Sequence, residues 1–495
     1  QIRSGPGAQE LGGGLVGEQV ATLGVLGVDR IPGRVDHRRD QLGQQQVGVG
    51  AGEDPAVALA AGCSETGPVG GEQAQADPGA GDVMAAGGYE AVRNDGPVIE
   101  RFPGANWFHG ELPAEAKKAD PDATPVKVGF IGINDGPIAA LPELLQATET
   151  AVKFVNAELG GVDGHPIELV PCSVSLSPES SQRCAREVLD AGVVAVLGGI
   201  NVMGGPGIAL LEEAGVPYVG GVPVGVDEMT SPISFQFSGG TSGAFAAFAA
   251  DAATRIKADK VGMVYVDYGA IADGAHRYGA QLMKSLGVDE VVEVTFPLTS
   301  TDVVAPIQKA LEAKPDALIV GAADTSCAPA LEAIADLKLD GPVYMMGACA
   351  DKKWLDQVGV EKTVGTIFNI EGRLIFFFND TATTEIYTAA VGEYGPKGLN
   401  PAGAATVSFR STMNLWAVLD DLGAEATPKQ IIEKFRTAVD EPSFDGHPYT
   451  CDGKQVPDMP SLCSPQQVLA ELVGPNEFAE VSDGWIDVPA LLNQL

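Results

Sequence analysis

From Val126 onward, two hydrophobic patterns alternate along the chain. Short continuous apolar runs, such as residues 126–131 and 260–266, have the length of strands. Each is followed by a longer stretch with apolar residues at helical spacing, the first being residues 141–158 with Leu144, Ala151 and Val155. Continuous apolar runs suit strands that are buried on both faces, so the alternation predicts parallel sheets with helices on both sides.

The pattern occurs twice, which predicts two similar α/β lobes. The predicted strands are residues 126–131, 166–170, 193–197, 217–219, 260–266, 291–296, 317–320, 343–346 and 364–369. The predicted helices are residues 141–158, 180–191, 206–214, 272–286, 303–313, 328–337, 412–422 and 428–439. We expect two doubly wound, Rossmann-like lobes with parallel sheets and a cleft between them.

The lobes are predicted to exchange segments. Residues 126–239 with about 370–440 form the predicted lobe 1, and residues 240–369 with about 441–495 form lobe 2. The connectors are expected near residues 238–241 and 369–371.

Residues 1–125 have a different composition from the rest of the chain. Gly, Gln and Ala dominate the first part, and the run from Gln41 to Gln46 shows neither a helical nor a strand period. Two interpretations stay open: a flexible leader, or a spurious one produced by translation of DNA upstream of the natural protein. Residues 110–125 are rich in Glu, Ala, Lys, Asp and Pro, which is typical of an exposed linker.

Residues 375–388 do not fit the surrounding pattern. The ten residues from Asn379 to Thr388 resemble the translation of a common sequencing-library adapter, and the preceding run of Phe resembles translated poly-T. We expect this segment to be an artefactual insert that contributes little to the core, with some natural residues missing. The alternative is a natural strand or lid.

The charge balance excludes several partners. The chain has 66 Asp and Glu residues against 31 Lys and Arg, a net charge of −35. Such a surface repels phosphate backbones and anionic lipids, so neither nucleic acid nor a polybasic membrane contact is expected. The sequence contains no run of 18 or more apolar residues, so no transmembrane helix is expected.

Six of the seven cysteines form three couples that are close in sequence: Cys172 with Cys184, Cys327 with Cys349, and Cys451 with Cys463. Short loops closed in this way indicate disulfides and an oxidising compartment. The alternatives are buried free thiols or zinc ligation. No CxxC motif is present and the five histidines are scattered, so no metal site is expected.

Cys63 is the remaining cysteine. It ends the run Leu59-Ala60-Ala61-Gly62-Cys63, which resembles the processing box of a bacterial lipoprotein, and arginines lie upstream as in a signal peptide. The motif predicts lipidation of Cys63; the alternative is a coincidence within a mistranslated leader.

No catalytic motif is found. The sequence lacks GxxxxGK[ST], HExxH and GxSxG, and the GxGxxG match at residues 12–17 neither follows a predicted strand nor opens a predicted helix. We therefore expect neither an enzyme nor a cofactor.

Several segments together resemble a known family. They are residues 126–136, 151–166 (AVKFVNAELGGVDGHP), 193–199, 213–217, 260–268 and 449–467 (YTCDGKQVPDMPSLCSPQQ). In this order they resemble the type I periplasmic binding proteins. More narrowly, they resemble the branched-chain amino acid (Leu/Ile/Val) type of ABC-transporter substrate-binding protein in its actinobacterial lipoprotein form.

The resemblance implies a hinged pair of lobes that closes on a small ligand at the carboxyl ends of the strands. Helix N-termini there offer N–H groups to an anion. The residues expected at these ends are Asn134, Asn201, Val202, Met203, Gly204, Val222, Pro223, Val224, Tyr268, Asp324, Thr325 and Ala348.

The sequence departs from the family's amino acid binders in two loops. Val202 and Met203 stand in a loop where the family carries Ser or Thr for the ligand carboxylate, and Ala348 and Cys349 stand where an acidic residue holds the ammonium group. An α-amino acid is therefore in doubt as the ligand, although the backbone N–H groups of Gly204 and Gly205 are expected to donate to a ligand carboxylate.

The resemblance implies capture of a small organic solute, amino-acid-like or another small carboxylate or amide, for delivery to ABC permease subunits. We expect an extracytoplasmic monomer that meets the membrane only through a lipid anchor. The alternative is a ligand sensor of the same fold that does not serve transport.

Overall fold

The computed structural model describes residues 102, 107–136, 140–298, 300, 302–337, 339–372, 385–399, 403–475 and 477–495. Within them the chain forms two lobes, each built on its own sheet, as the sequence predicts. The first sheet has the order β2-β1-β3-β4-β5 and all its pairs are parallel. Its strands are β1 (Val126–Gly132), β2 (Ile167–Ser173), β3 (Ala195–Gly198), β4 (Tyr218–Val219) and β5 (Ser234–Phe235).

The second sheet has the order β12-β11-β10-β9-β8-β6-β7. The neighbouring strands β7, β6, β8, β9 and β10 pair in parallel. β11 pairs antiparallel with β10, and β12 pairs antiparallel with β11. Its strands are β6 (Lys260–Asp267), β7 (Glu290–Pro297), β8 (Ala317–Gly321), β9 (Val343–Met345), β10 (Thr366–Ile370), β11 (Val468–Gly474) and β12 (Glu477–Glu480).

Helices cover both faces of each sheet. Those of the first lobe are α1 (Pro142–Glu158), α2 (Pro178–Asp190), α3 (Gly205–Ala214), α4 (Val226–Thr230), α12 (Glu385–Tyr394), α13 (Ala404–Leu422) and α14 (Pro428–Arg436). Those of the second are α5 (Gly240–Asp251), α6 (Gly269–Gly274), α7 (Leu282–Ser285), α8 (Val304–Leu311), α9 (Cys327–Leu337), α10 (Lys352–Val358), α11 (Val360–Thr363) and α15 (Val488–Leu492). π-helical turns at Ala252–Ile256 and Ala275–Gln281 continue α5 and α6.

Each sheet separates two hydrophobic clusters. In lobe 1, residues of α1, α12 and α13 pack on one face and residues of α2 and α3 on the other. In lobe 2, α5 and the turn at Ala275–Gln281 cover one face, while α8, α9 and α10 cover the other. This burial on both faces explains the continuous apolar runs of the strands.

Part of the predicted leader packs against lobe 1. Phe102 is fully buried, and the Trp107 ring lies 5.7 Å from that of Trp416 on α13. Lys117 donates its backbone N–H to Glu158 at the end of α1. The prediction of a leader and linker without structure up to residue 125 is therefore wrong for this stretch, because its aromatic side chains complete the lobe 1 core. Cys63 lies outside the described residues.

The segment at residues 375–388 is described only from residue 385. There it begins α12, and Ile386 and Tyr387 are each 2% exposed. The Tyr387 ring packs edge-on against Phe409 with centroids 4.8 Å apart. The expectation that the whole segment contributes little to the core is wrong for these residues, because their side chains fill space beside α13. Its interpretation as an adapter translation stays a prediction.

Three disulfides are present, as the sequence predicts. The Cα–Cα distances are 5.4 Å for Cys172–Cys184, 5.2 Å for Cys327–Cys349 and 4.5 Å for Cys451–Cys463. All lie in the usual range for such bonds. Cys327–Cys349 joins the start of α9 to a 3₁₀ turn after β9, at the ends of two neighbouring strands.

The chain returns from lobe 1 to lobe 2 later than residue 441, where the sequence analysis divides it. Phe444, Tyr449, Cys451 and Cys463 belong to the lobe 1 core, whereas Val456, Met459 and Leu462 pack with lobe 2. The intervening stretch contacts both lobes, and the chain joins the second sheet at Val468.

Candidate functional site

The carboxyl ends of the strands in both lobes face the hinge. The chain leaves lobe 1 directly after β5, and it leaves lobe 2 directly after β10. These two exits are hydrogen-bonded to each other, since Glu371 accepts from Ser238 Oγ (2.9 Å) and from the backbone N–H of Gly239 (3.1 Å). In parallel sheets all loops at the carboxyl ends lie on one edge, which is where such folds bind ligands.

In lobe 1 the structure brings together the three predicted loops after β1, β3 and β4. Ile133 N–H donates to Ile200 O at 3.0 Å, and Val222 N–H donates to Gly199 O at 3.2 Å. Asn134, Asn201 and the segment Val222–Val224 therefore share one edge. Val202, Met203, Val222 and Val224 are half-buried, and Pro223 is buried.

In lobe 2 the predicted residues follow β6, β8 and β9, which are adjacent in the sheet. Tyr268 is half-buried and its carbonyl accepts from the N–H groups of Ile271 and Ala272 at the start of α6. Its hydroxyl makes no hydrogen bond to another described residue. Thr325 is exposed in the 3₁₀ turn Asp324–Ser326, and Ala348 is half-buried in the turn that Cys349 ties to α9.

Asn201 organises its loop from within. It is 2% exposed and its Nδ2 donates to Ser181 Oγ at 3.2 Å. Ser181 Oγ donates to Gly204 O at 3.0 Å. The Oδ1 atoms of Asn134 and Asn201 are both buried and have no hydrogen-bond donor within the described protein. Two acceptors without donors at one strand edge suit a ligand that brings N–H or O–H groups.

The helix start at α3 differs from the expected anion site. Gly204 N–H donates to Asn201 O (3.0 Å), Pro206 has no N–H, and Gly207 N–H donates to Gly204 O (2.9 Å). A Cβ on Gly205 would lie 2.3 Å from Asp227 Oδ2, so a carboxylate of the protein already occupies this position. The expectation that the Gly204 N–H donates to a ligand carboxylate is therefore wrong: this N–H is used within its own turn, and Asp227 would repel the anion.

Glu228 holds the loop after β4, and the sequence analysis missed it. Its buried carboxylate accepts from the N–H groups of Val224 (2.8 Å) and Gly225 (2.9 Å) and from the Tyr218 hydroxyl (3.3 Å). Burial raises the pKa of Glu228 to about 7 and raises that of Tyr218 as well. The signal was present in the sequence, because a Glu three residues after a helix N-cap commonly bonds back to it.

A surface depression lies elsewhere on lobe 1. Its volume is about 520 Å³ when the solvent-filled space at its opening is included. Its lining comes from the N-terminal segment, α13, α14 and the stretch after α14: Phe108, His109, Ala417, Val418, Asp421, Lys434, Thr437, Ala438, Glu441, Pro442 and Tyr449. None of these residues follows a strand, so the depression is separate from the predicted ligand site.

The sequence profile of the family described as periplasmic binding protein matches residues 125–460, which is more than half of the chain. The chain belongs to the periplasmic binding protein family. Its members are solute-binding proteins rather than enzymes. No helix within the described ranges has the length and apolar character needed to cross a bilayer.

Solved structures of this fold resemble the protein along its two lobes. A leucine-binding protein LivK from Thermotoga maritima has a TM-score of 0.58 and 17% identity, covering 72% of this chain and 98% of its own. LivJ from Streptococcus pneumoniae, in complex with isoleucine, has a TM-score of 0.59 and 16% identity, covering 72% and 100%. A solute-binding protein from R. palustris, in complex with 4-hydroxybenzoate, has a TM-score of 0.62 and 19% identity, covering 73% and 97%.

At sequence identities this low, the similarity to these structures establishes only the fold. The ligands in the two complexes, an amino acid and an aromatic acid, differ in their chemistry. No curated protein matches the chain significantly in sequence. The ligand of this periplasmic binding protein must therefore be argued from its own residues.

Proposed function

We propose that this periplasmic binding protein captures a small organic solute outside the cytoplasmic membrane and delivers it to an ABC importer. The observation that carries the proposal is the shared edge of Val202, Met203 and Val222 in lobe 1, which faces the hinge together with the strand ends of lobe 2. The lobes close over a solute at this edge in the arrangement that the family fold provides.

The lining favours a ligand with a sizeable hydrocarbon or aromatic part. Val202, Met203 and Val222 supply apolar contact, and Tyr268 supplies a ring to stack against and a hydroxyl to donate. The acceptors Asn134 Oδ1 and Asn201 Oδ1 favour a ligand that donates hydrogen bonds. Among the small amides, carboxylates and amino-acid-like solutes that we propose, the position of Asp227 beside Gly205 favours an amide over a free carboxylate at that end.

We also propose an extracytoplasmic location with lipidation at Cys63. The three disulfides support an oxidising compartment. A lipid at Cys63 would hold the protein at the membrane surface close to its permease, as a monomer.

A thermal-shift screen of the full chain tests the proposed function. Each apolar skeleton is presented as an acid and as its amide: leucine with leucinamide, and 4-hydroxybenzoate with 4-hydroxybenzamide. We expect at least one compound to raise the melting temperature, and its effect to fall in the Tyr268→Ala and Met203→Ala variants. A compound that stabilises both variants as strongly as the unmodified protein would place the binding site elsewhere.

Uptake then tests delivery. Cells that carry the gene with its neighbouring permease genes should accumulate the radiolabelled compound, and cells with the binding protein deleted should not. Equal uptake in both would contradict a role in transport.

A further inference from the structure

Three segments pass between the lobes in the described part of the chain, and a carboxylate on one of them, Glu371, is hydrogen-bonded to the other two. Residues 236–239 leave lobe 1, residues 371–372 leave lobe 2, and residues 464–467 enter lobe 2. Glu371 Oε1 accepts from Ser238 Oγ (2.9 Å) and Gly239 N–H (3.1 Å) in the first segment, and from Gln467 Nε2 (2.6 Å) in the third.

The partners of Glu371 are themselves held in place. Gln467 is fully buried, and its Oε1 accepts from Asn369 Nδ2 at 2.9 Å. Asn369 Oδ1 accepts from Gly347 N–H at 2.8 Å. This chain of hydrogen bonds leads from the hinge to the turn that contains Ala348, one of the predicted ligand residues.

The segments also contact each other through their backbones. A Cβ on Gly239 would lie 2.6 Å from Pro465 O, so the first and third segments touch. A Cβ on Gly240 would lie 2.0 Å from Pro223 O, so the start of α5 touches the loop after β4. A rotation of one lobe against the other therefore displaces all three segments.

The charge of Glu371 is set by its surroundings. Burial raises its pKa, while the hydrogen bonds and the charge of Arg410 on α13 act in the opposite direction. Arg410 is 2% exposed and donates to Phe237 O at 3.3 Å, which fixes the first segment to lobe 1. Asp445 and Tyr387 also interact electrostatically with Arg410. A carboxylate that accepts several donors at one oxygen binds them more strongly than a neutral acceptor does.

We propose that Glu371 is a positioning residue of the hinge, whose carboxylate couples the three crossing segments and thereby sets the equilibrium between open and closed lobes. The proposal concerns the protein's own conformational equilibrium and is independent of which solute it binds.

Single-molecule energy transfer on the full chain tests the proposal without a ligand. Dyes are attached through unnatural amino acids at Glu213 on α3 and Lys309 on α8, which are exposed on different lobes. We expect Glu371→Ala to change the ratio of the two transfer populations by at least about fivefold. Glu371→Gln keeps an acceptor oxygen and the side-chain size but loses the charge, and we expect it to give a smaller change in the same direction.

Asp251→Asn is the matched control. Asp251 is 7% exposed and accepts from the Tyr344 hydroxyl (2.6 Å), but its partners, Tyr344 and Arg255, lie in lobe 2. It should lower the melting temperature and leave the transfer ratio unchanged. A folded Glu371→Ala protein with the ratio of the unmodified protein would overturn the proposal.

A pH series distinguishes positioning from simple stabilisation. As the pH falls through the raised pKa of Glu371, the ratio in the unmodified protein should move towards that of Glu371→Gln. The ratio in Glu371→Gln should not follow the same titration. Identical pH profiles in the two proteins would also overturn the proposal.

Discussion

Val224 donates its backbone N–H to the buried carboxylate of Glu228 across 2.8 Å, in the loop that follows β4. The same oxygen accepts from Gly225 at 2.9 Å. One side chain thus fixes the conformation of the loop Val222–Val224 at the proposed ligand site. It does so as a buried acid whose pKa is raised by burial from 4.5 to about 7.

This raised pKa predicts the pH dependence of stability. Between about pH 4.5 and 7 the folded protein retains a proton on Glu228 that the unfolded chain has lost, so stability falls as the pH rises. The full loss at higher pH is on the order of 3 kcal/mol. In Glu228→Gln this contribution is absent. The variant should therefore gain stability relative to the unmodified protein as the pH rises from about 4.5 to 8.

Urea unfolding of both proteins across this pH range checks the prediction. The difference in unfolding free energy is the quantity of interest, because other carboxylates cancel in it. A difference that does not vary with pH would mean that Glu228 titrates normally.

The disulfide Cys327–Cys349 closes a loop near the proposed site. The bridge spans 22 residues and holds the turn that carries Ala348. Replacing both cysteines by Ala should lower the unfolding free energy by roughly 3 kcal/mol through the chain entropy of the unfolded state. Ligand affinity should fall as well, because the turn becomes free to move.

The bridge Cys172–Cys184 provides the control. It joins Cys172, near the end of β2, to Cys184 on α2, and no predicted ligand residue lies within this span of 12 residues. Its removal should reduce stability, measured by guanidinium unfolding, while calorimetry shows unchanged affinity. Equal losses of affinity in the two double variants would argue against a local role of Cys327–Cys349.

His109 fastens the N-terminal segment to lobe 1. Its Nε2 lies 3.0 Å from Asp420 Oδ2 on α13, and this hydrogen bond is the main cause of its raised pKa. Because the folded pKa lies above the unfolded one, the stabilisation is complete below about pH 6.5 and is lost as the pH rises through the folded value. His109→Gln should therefore cost up to about 1 kcal/mol at pH 6 and almost nothing at high pH.

Chemical unfolding of the two proteins at about pH 6 and pH 9 measures this difference. Lys434, which pairs with Asp421 at 2.7 Å, supplies a comparison at the same surface that involves no imidazole. If Lys434→Gln shows the same pH dependence as His109→Gln, the His109 imidazole is not the titrating group.

Local sequence patterns predicted most of the fold because the strands are continuous apolar runs. β1, β6 and β8 were predicted within one residue at each end, since burial on both faces leaves a clear signal. α5 was missed because it is buried almost all round and shows no amphipathic period. The antiparallel strands β11 and β12 were missed because they lie outside the β/α alternation.

The candidate site was only partly accessible to sequence analysis. Loops such as Val222–Val224 follow from the strand ends, because parallel strands place their carboxyl ends on one edge. The contact between Glu371 and Gln467 joins residues 96 positions apart, and that between Ser238 and Glu371 spans 133. Such contacts depend on how the two lobes are set against each other, for which the sequence has no local pattern.

The buried start of α12 predicts a stability loss at Tyr387. The residue is 2% exposed and packs on Phe409, so Tyr387→Ala should lower the unfolding free energy by about 3 kcal/mol. Lys397→Ala, at an exposed position after the helix, is the control and should have almost no effect. Calorimetric melting of both variants is the measurement. An unchanged melting temperature for Tyr387→Ala would favour an insert without a structural role.

Tyr268 is the residue through which the proposed ligand site is tested most directly. Its ring is half-buried at the end of β6, and its hydroxyl forms no hydrogen bond to the described protein. If the ring stacks on the ligand, Tyr268→Ala should weaken binding by about 1–3 kcal/mol. Tyr268→Phe retains the ring and removes only the hydroxyl, so it should lose about 1 kcal/mol when that group donates to the ligand.

Titration calorimetry of Tyr268→Ala, Tyr268→Phe and Met203→Ala with the compound found in the thermal-shift screen separates these contributions. In the proposed site Met203 belongs to lobe 1 and Tyr268 to lobe 2, so a ligand held between the lobes must lose affinity in both alanine variants. A loss in only one of them would mean that the ligand binds to a single lobe. Unchanged affinity in both alanine variants would show that the cleft is not the binding site.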